Sequence, residues 1–205
     1  MKTKRIFILN IIFIYIIAVA SFAGAASAPT VELKASIDSM LEILRDKDLA
    51  QPDKKEERRS RISSLIRDRF DFKEMARRSL ARNWNKRSVE EKKEFVEIFS
   101  DLLQSSYIGK IEGYTDEKIT YDKEELKKEG TYGVVSTTII TKDVNIPIDY
   151  KLILKNDKWW VYDVVVEGVS FVSTYRSQYD KVIKRESYAA LIEKMKTKLD
   201  EINAL

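Results

Sequence analysis

The chain has 205 residues and carries 37 Lys and Arg against 33 Asp and Glu, a formal net charge of +4 at pH 7. It contains no His and no Cys. Those absences remove Ser-His-Asp and Cys-His nucleophilic systems, the usual zinc ligand sets and any disulfide framework, so hydrophobic packing alone must hold the fold.

Residues 1–28 read as an export signal rather than as part of the fold. Lys2, Lys4 and Arg5 make a positive n-region, Ile6 to Ala20 is apolar except for Asn10, and Ala26-Ser27-Ala28 supplies small residues at a cleavage site. The rival reading is an uncleaved anchor, but the apolar run falls short of the roughly 20 residues that a spanning helix needs. No Cys follows it, which excludes a lipidated N-terminus. Removing the signal leaves residues 29–205, enough for one domain with a core of its own, with 34 basic and 33 acidic residues. The basic excess belongs mostly to the signal, and a nucleic-acid partner loses its support.

Four amphipathic helices are expected next. Leu33, Ile37, Met40, Leu41 and Leu44 form one stripe within Val31 to Leu49. Pro52 suits the first turn of a second helix whose positive end meets Asp53, Glu56 and Glu57, with Ile62, Leu65, Ile66 and Phe70 inward. Asp71 with Glu74 reads as the cap of a third, carrying Phe72, Met75, Ala76, Leu80 and Trp84. Ser88 and Glu91 form a capping box for the fourth, with Phe95, Ile98, Phe99, Leu102, Leu103 and Tyr107 on its stripe toward Gly109 and Gly113.

At Tyr114 the period changes from helical to alternating. A first strand from Ile119 and Tyr121 toward Glu129 turns at Gly130 into Tyr132 to Thr141. Ile146, Ile148, Tyr150, Leu152 and Leu154 then alternate with Pro147, Asp149, Lys151, Ile153 and Lys155. Asn156-Asp157 fits a tight hairpin into a fourth strand, Trp159 to Val166, which ends at Glu167-Gly168. Ser170 can cap the helical region that follows, and Ser187 marks a break within it. Helices, a four-stranded antiparallel meander and helices again make an α+β single domain.

The run Trp160-Val161-Tyr162-Asp163-Val164, with Glu167-Gly168-Val169-Ser170 and Tyr175-Arg176-Ser177-Gln178-Tyr179, strongly resembles the MlaC family, also called toluene-tolerance proteins. Asp71-Phe72, Met75-Ala76, Leu80, Trp84, Phe95, Phe99, Leu103 and Tyr107 extend the resemblance over about Val31 to Leu199. Ala81 stands where the family commonly has Gly before its Trp, and Glu186-Ser187 replaces a Gly often seen ahead of the final helix. The resemblance implies a periplasmic phospholipid carrier that works between an outer-membrane lipoprotein complex and an inner-membrane ABC transporter and maintains outer-membrane asymmetry, with no cofactor. It also implies helices against one face of a curved sheet, enclosing a lipid cavity like that of the cone-shaped nuclear-transport-factor-like fold.

A two-tailed lipid has about 30 methylenes, and exposing them to water costs on the order of 20 kcal/mol at ~0.8 kcal/mol each, so a carrier must enclose its tails. The wall residues expected from the matching blocks are Trp84, Phe95, Phe99, Leu103, Tyr107, Tyr150, Leu152, Tyr162, Val164, Val166, Val169 and Val172. On simple alternation Tyr162, Val164 and Val166 share one face of their strand. Asp163 and Glu167 then share the other with Trp159, Val161 and Val165. Asp163 is either a buried base in a pocket, which would make the protein a small-molecule enzyme, or a hydrogen-bonded polar part of the sheet. A structural periplasmic adaptor with a filled core is the third possibility. Residues 54–93 hold 15 Lys and Arg against 7 acids, either a solvated helix face or a surface for an anionic headgroup or acidic partner.

Overall fold

The computed structural model describes residues 27–114 and 117–204. The export signal therefore lies outside the described residues apart from its last two. In chain order the elements are α1 (Pro29–Arg45), a 3-10 turn (Pro52–Lys54), α2 (Lys55–Arg69), α3 (Phe72–Leu80), a second 3-10 turn (Ala81–Lys86) and α4 (Val89–Glu112). Then come β1 (Lys118–Lys127), β2 (Tyr132–Ile140), β3 (Asn145–Lys155), β4 (Lys158–Val166), β5 (Val169–Ser170), α5 (Phe171–Arg185) and α6 (Tyr188–Asn203). The class is α+β. No helix among the described residues is long and apolar enough to cross a membrane.

Local chemistry sets most of these boundaries. The Asp71 carboxylate accepts from the Glu74 N–H at 2.9 Å. Ser88 Oγ accepts from Glu91 N–H while Glu91 accepts from Ser88 N–H, a complete capping box. Ser170 and Ser187 cap α5 and α6 through the N–H groups of Ser173 and Ala190. Each cap satisfies an N–H that the helix itself leaves without a partner. Trp84 is not part of α3, which stops at Leu80 and continues as the second 3-10 turn.

The strands form one antiparallel sheet in the order β1-β2-β3-β4-β5. It has five strands rather than four. Glu167 (φ 50°) and Gly168 (φ 81°) make a two-residue turn, and the chain returns to pair Val169 with Val166 before α5 begins. Asn156 and Asp157, both at positive φ, make the same kind of turn between β3 and β4.

Alternation fails once in β4, and the faces change with it. Asp163 pairs with Lys151 but Val161 pairs with Leu152, so Tyr162 is an extra residue. A bulge of this kind puts two consecutive side chains on one side. Tyr162 and Asp163 therefore share the face of Val165, while Trp159 and Val161 share the face of Val164 and Val166. This corrects both face assignments made from alternation. Tyr162 meets Tyr132 edge-on at 5.9 Å, and Tyr132 lies on the same side through Ile153 and Trp160. A similar irregularity falls between Tyr121 and Lys123 in β1.

Buried apolar residues fall into two clusters. Residues of α3, α4, α5 and α6 form the helical one, including Met75, Leu80, Phe95, Phe99, Val172, Tyr179 and Met195. The other lies between α1 and one face of the sheet: Leu33, Val135, Leu152, Trp159, Val161 and Val164. Phe70 and Phe171 touch both. A domain of this size ordinarily has one contiguous core.

A seam between two apolar cores

The seam where the two clusters meet is the candidate site. Its floor is the sheet face that alternation in β3 provides: Ile148 and Tyr150 are half-buried there, with Val166 beside them on β4 and Tyr121 on β1. The opposite side belongs to α4, whose close neighbours are α6, α3 and α2 rather than the sheet. Tyr107 of α4 reaches across to stack on Phe171, with ring centroids 4.6 Å apart. Centres of both clusters are closed to solvent, whereas the residues along the seam keep part of their apolar surface accessible.

The expected wall residues divide accordingly. Tyr150 and Val166 lie half-buried on the sheet side of the seam, Leu152 and Val164 are closed in the sheet cluster on the same face, and Tyr107 stacks on Phe171, which touches both clusters. Phe95, Phe99, Leu103 and Val172 are in the interior of the helical cluster, where Phe95 and Phe99 pack around Tyr179. Trp84 is also in that cluster but borders an outer recess of about 440 Å³ with Lys73, Val89 and Lys92. Tyr162 is carried to the far face of the sheet by the bulge, where the Arg78 guanidinium lies 4.0 Å from its ring. Val169 pairs with Val166 and shares its face, but it is 58% exposed because β5 is the open edge of the sheet. Phe70, Phe171, Tyr121 and Ile148 are absent from the expected wall, although Ile148 and Tyr121 carry the alternating signal that marks the sheet face.

Tyr121 Oη and Tyr179 Oη are buried with no hydrogen-bond partner among the described residues. Burial pushes the Tyr150 phenol up to about 12. Tyr121 is also pushed up to about 12, by burial first and then by the neighbouring Asp38 and Tyr150. Tyr175 reaches about 12 through burial, with Tyr107 close by. A buried hydroxyl left unpaired costs about 1–3 kcal/mol.

Asp163 behaves differently. Its carboxylate accepts from Lys151 Nζ at 3.0 Å, from Ser170 Oγ at 2.7 Å and from the Val172 N–H at 3.0 Å. It therefore ties β3, β4 and the start of α5 together, on the face away from the seam. No group of three or more acidic side chains among the described residues could hold a metal ion.

Much of the basic run of residues 54–93 is consumed in ties between elements. Arg59 meets Glu112 at 3.0 Å and Arg67 meets Asp101 at 2.8 Å, both joining α2 to α4. Arg82 reaches Asp180 of α5 at 3.0 Å. Arg69 donates to Glu32 and to the Trp159 carbonyl, both at 2.7 Å. Arg77 and Arg78 both hold Glu74: burial alone would raise that carboxyl, but their hydrogen bonds more than offset it and bring it down to about 2.

Comparison with known proteins gives a consistent result. The model of the family described as MlaC protein matches residues 34–197. The intermembrane phospholipid transport system binding protein MlaC of Haemophilus influenzae is 24% identical over 112 residues, which are 53% of this chain and 52% of that protein. The chain thus spans about half the length of the curated relative it matches. A phospholipid-binding protein from Ralstonia solanacearum, solved in complex with a phospholipid, superposes with a TM-score of 0.75 at 21% identity over 86% of this chain and 99% of that one. At that identity the likeness speaks for the fold.

Proposed function

Because the chain belongs to the MlaC family, we propose that it is a phospholipid-binding transport protein whose tails-in cargo lies along the seam between the two cores. In the finer form of this reading it is exported, loses residues 1–28 and works in the periplasm as a single domain of residues 29–205. There it shuttles lipid between an outer-membrane lipoprotein complex and an inner-membrane ABC transporter, without covalent chemistry or cofactor.

One observation carries the reading. A single domain keeps two apolar cores joined at Phe70 and Phe171, and Ile148, Tyr150 and Val166 beside the sheet core stay half-buried. A structural adaptor has no use for such a division, because closing it would bury more apolar area at about 25 cal/mol per Å². A lipid between the cores supplies that burial instead. The enzyme reading is disfavoured by Asp163, whose oxygens are already taken up by Lys151, Ser170 and the Val172 N–H. A general base needs an oxygen within reach of a substrate proton.

Mass spectrometry of lipid extracted from the protein purified from its own compartment tests the proposal. About one phospholipid per chain is the expected result. Protein that emerges lipid-free, and acquires none from phospholipid vesicles, would favour the adaptor.

A further inference from the structure

Three side chains on the seam's sheet face carry hydroxyls, and they are not equivalent. Thr137 of β2 lies between Tyr121 and Ile148 in the register, and its Oγ1 donates to the Ile148 carbonyl at 3.2 Å. Its need is met within the sheet. Tyr121, the cross-strand neighbour of Thr137, has its Oη buried without a partner among the described residues. Tyr150, two residues along β3 from Ile148, makes no hydrogen bond through its hydroxyl to any described residue. Tyr121 and Tyr150 lie on the same face of the sheet, with Thr137 and Val135 of β2 between them, and both pack against the cluster under α1.

A surface that met only methylenes would be better served by Phe at both positions, because Phe fills the same space without a hydroxyl to desolvate. Two phenols in one place, one of them buried without a partner, call for an acceptor that no described residue provides. Asp38 does not serve: its carboxylate is engaged by Lys34, and that ammonium lies 5.8 Å from the Tyr121 ring centroid. A phosphate would bring an uncompensated charge to a floor whose nearest cation is already paired. The acceptor adjoining an acyl tail that is neutral and takes hydrogen bonds from phenols is an ester carbonyl.

We infer that Tyr121 and Tyr150 are specificity-determining residues that donate hydrogen bonds to the acyl-ester carbonyls of the bound lipid, so that the protein selects diester lipids over lipids of equal apolar length lacking the carbonyl. The inference rests on the carrier reading above and deepens it. It gives the ester linkage a fixed depth in the seam, at the level of the Tyr121 and Tyr150 rings.

The test offers the intact protein vesicles containing equal amounts of a diester phosphatidylglycerol and its diether analogue of the same chain length. Lipid recovered with the protein is then quantified by mass spectrometry. Diester enrichment of about tenfold is expected for the unaltered protein, from one or two hydrogen bonds. Tyr121→Phe and Tyr150→Phe should each reduce it to about threefold, and the double variant should take up both lipids equally. Thermal melting of the variants, where loss of an unpaired buried hydroxyl should not lower Tm, guards against a folding defect. Equal uptake of the two lipids by the unaltered protein, or undiminished preference in the double variant, overturns the inference while leaving the carrier reading intact. Uptake of neither lipid by folded protein overturns both.

Discussion

Ala81 shows how a single residue can disagree with its backbone. It closes α3 at φ 48° and ψ −123°, outside the left-handed helical region that hosts Asn156 and Asp157 and in territory suited to Gly. The resemblance implies Gly at this position, and the geometry supplies a reason for it. Ala81→Gly should stabilise the protein by about 1 kcal/mol: relief of roughly twice that in strain is partly cancelled by the greater freedom of Gly in the unfolded chain. A urea midpoint that rises with an unchanged slope would show it, and a midpoint that falls would mean that the position is not strained. Asp163 gives the contrasting case. Its identity and apolar surroundings were legible in the sequence, but the partners that make it a structural tie arrive from residues 151, 170 and 172 and could not be read from its own strand.

At the level of elements, caps and turns were the most legible features because each is written in two to four adjacent residues. The Ser88–Glu91 box and the Asn156-Asp157 turn are of this kind. The bulge at Tyr162 was not legible. One extra residue leaves no compositional trace, and its neighbours Val161 and Val164 are as suitable for either face. The N-terminal clasp of α1 is a second feature that only the fold brings together. Glu32 accepts from Arg69 at 2.7 Å, from Ser27 Oγ at 2.7 Å and from the Trp159 N–H at 3.2 Å, while Trp159 Nε1 donates to the Ser27 carbonyl at 2.7 Å. Cleavage after Ala28, where the small-residue motif puts it, removes both Ser27 contacts and leaves Arg69 and the Trp159 N–H on Glu32 to hold the start of α1. Each hydrogen bond lost is worth about 0.5–1.5 kcal/mol. A chain beginning at Pro29 is therefore expected to be less stable than one beginning at Ser27 by about 1–3 kcal/mol. Urea unfolding of the two forms measures this directly, and equal midpoints would contradict it.

For the whole molecule, the order of helices and strands followed from periodicity, but the division into two cores did not. Periodicity reports which side of an element is apolar, and both cores draw on equally apolar stripes: Leu33 and Ile37 on α1, Phe95 and Phe99 on α4. Only the packing shows that α1 covers the sheet while α4 packs on its fellow helices, leaving the seam floored by Ile148 and Tyr150. If tails lie there, a charge on that floor should abolish lipid loading without unfolding the domain, because Ile148 is half-buried and has no closed core around it. Val164 and Val165 are a poor pair for this test, being 8% and 9% exposed, so that Arg at either would meet packed neighbours. Ile148→Arg with Ile153→Arg as its control is better, since both residues are half-buried on β3 but point to opposite faces. An arginine on the seam would have to stay charged beside methylene chains, at a cost of several kcal/mol, whereas one replacing Ile153 would lie on the face that carries Lys151 and Lys155. Copurifying lipid should therefore drop at least tenfold in the Ile148 variant and stay near one per chain in the Ile153 variant, with the circular dichroism of both unchanged. Equal loading of the two folded variants would place the cargo somewhere other than the seam.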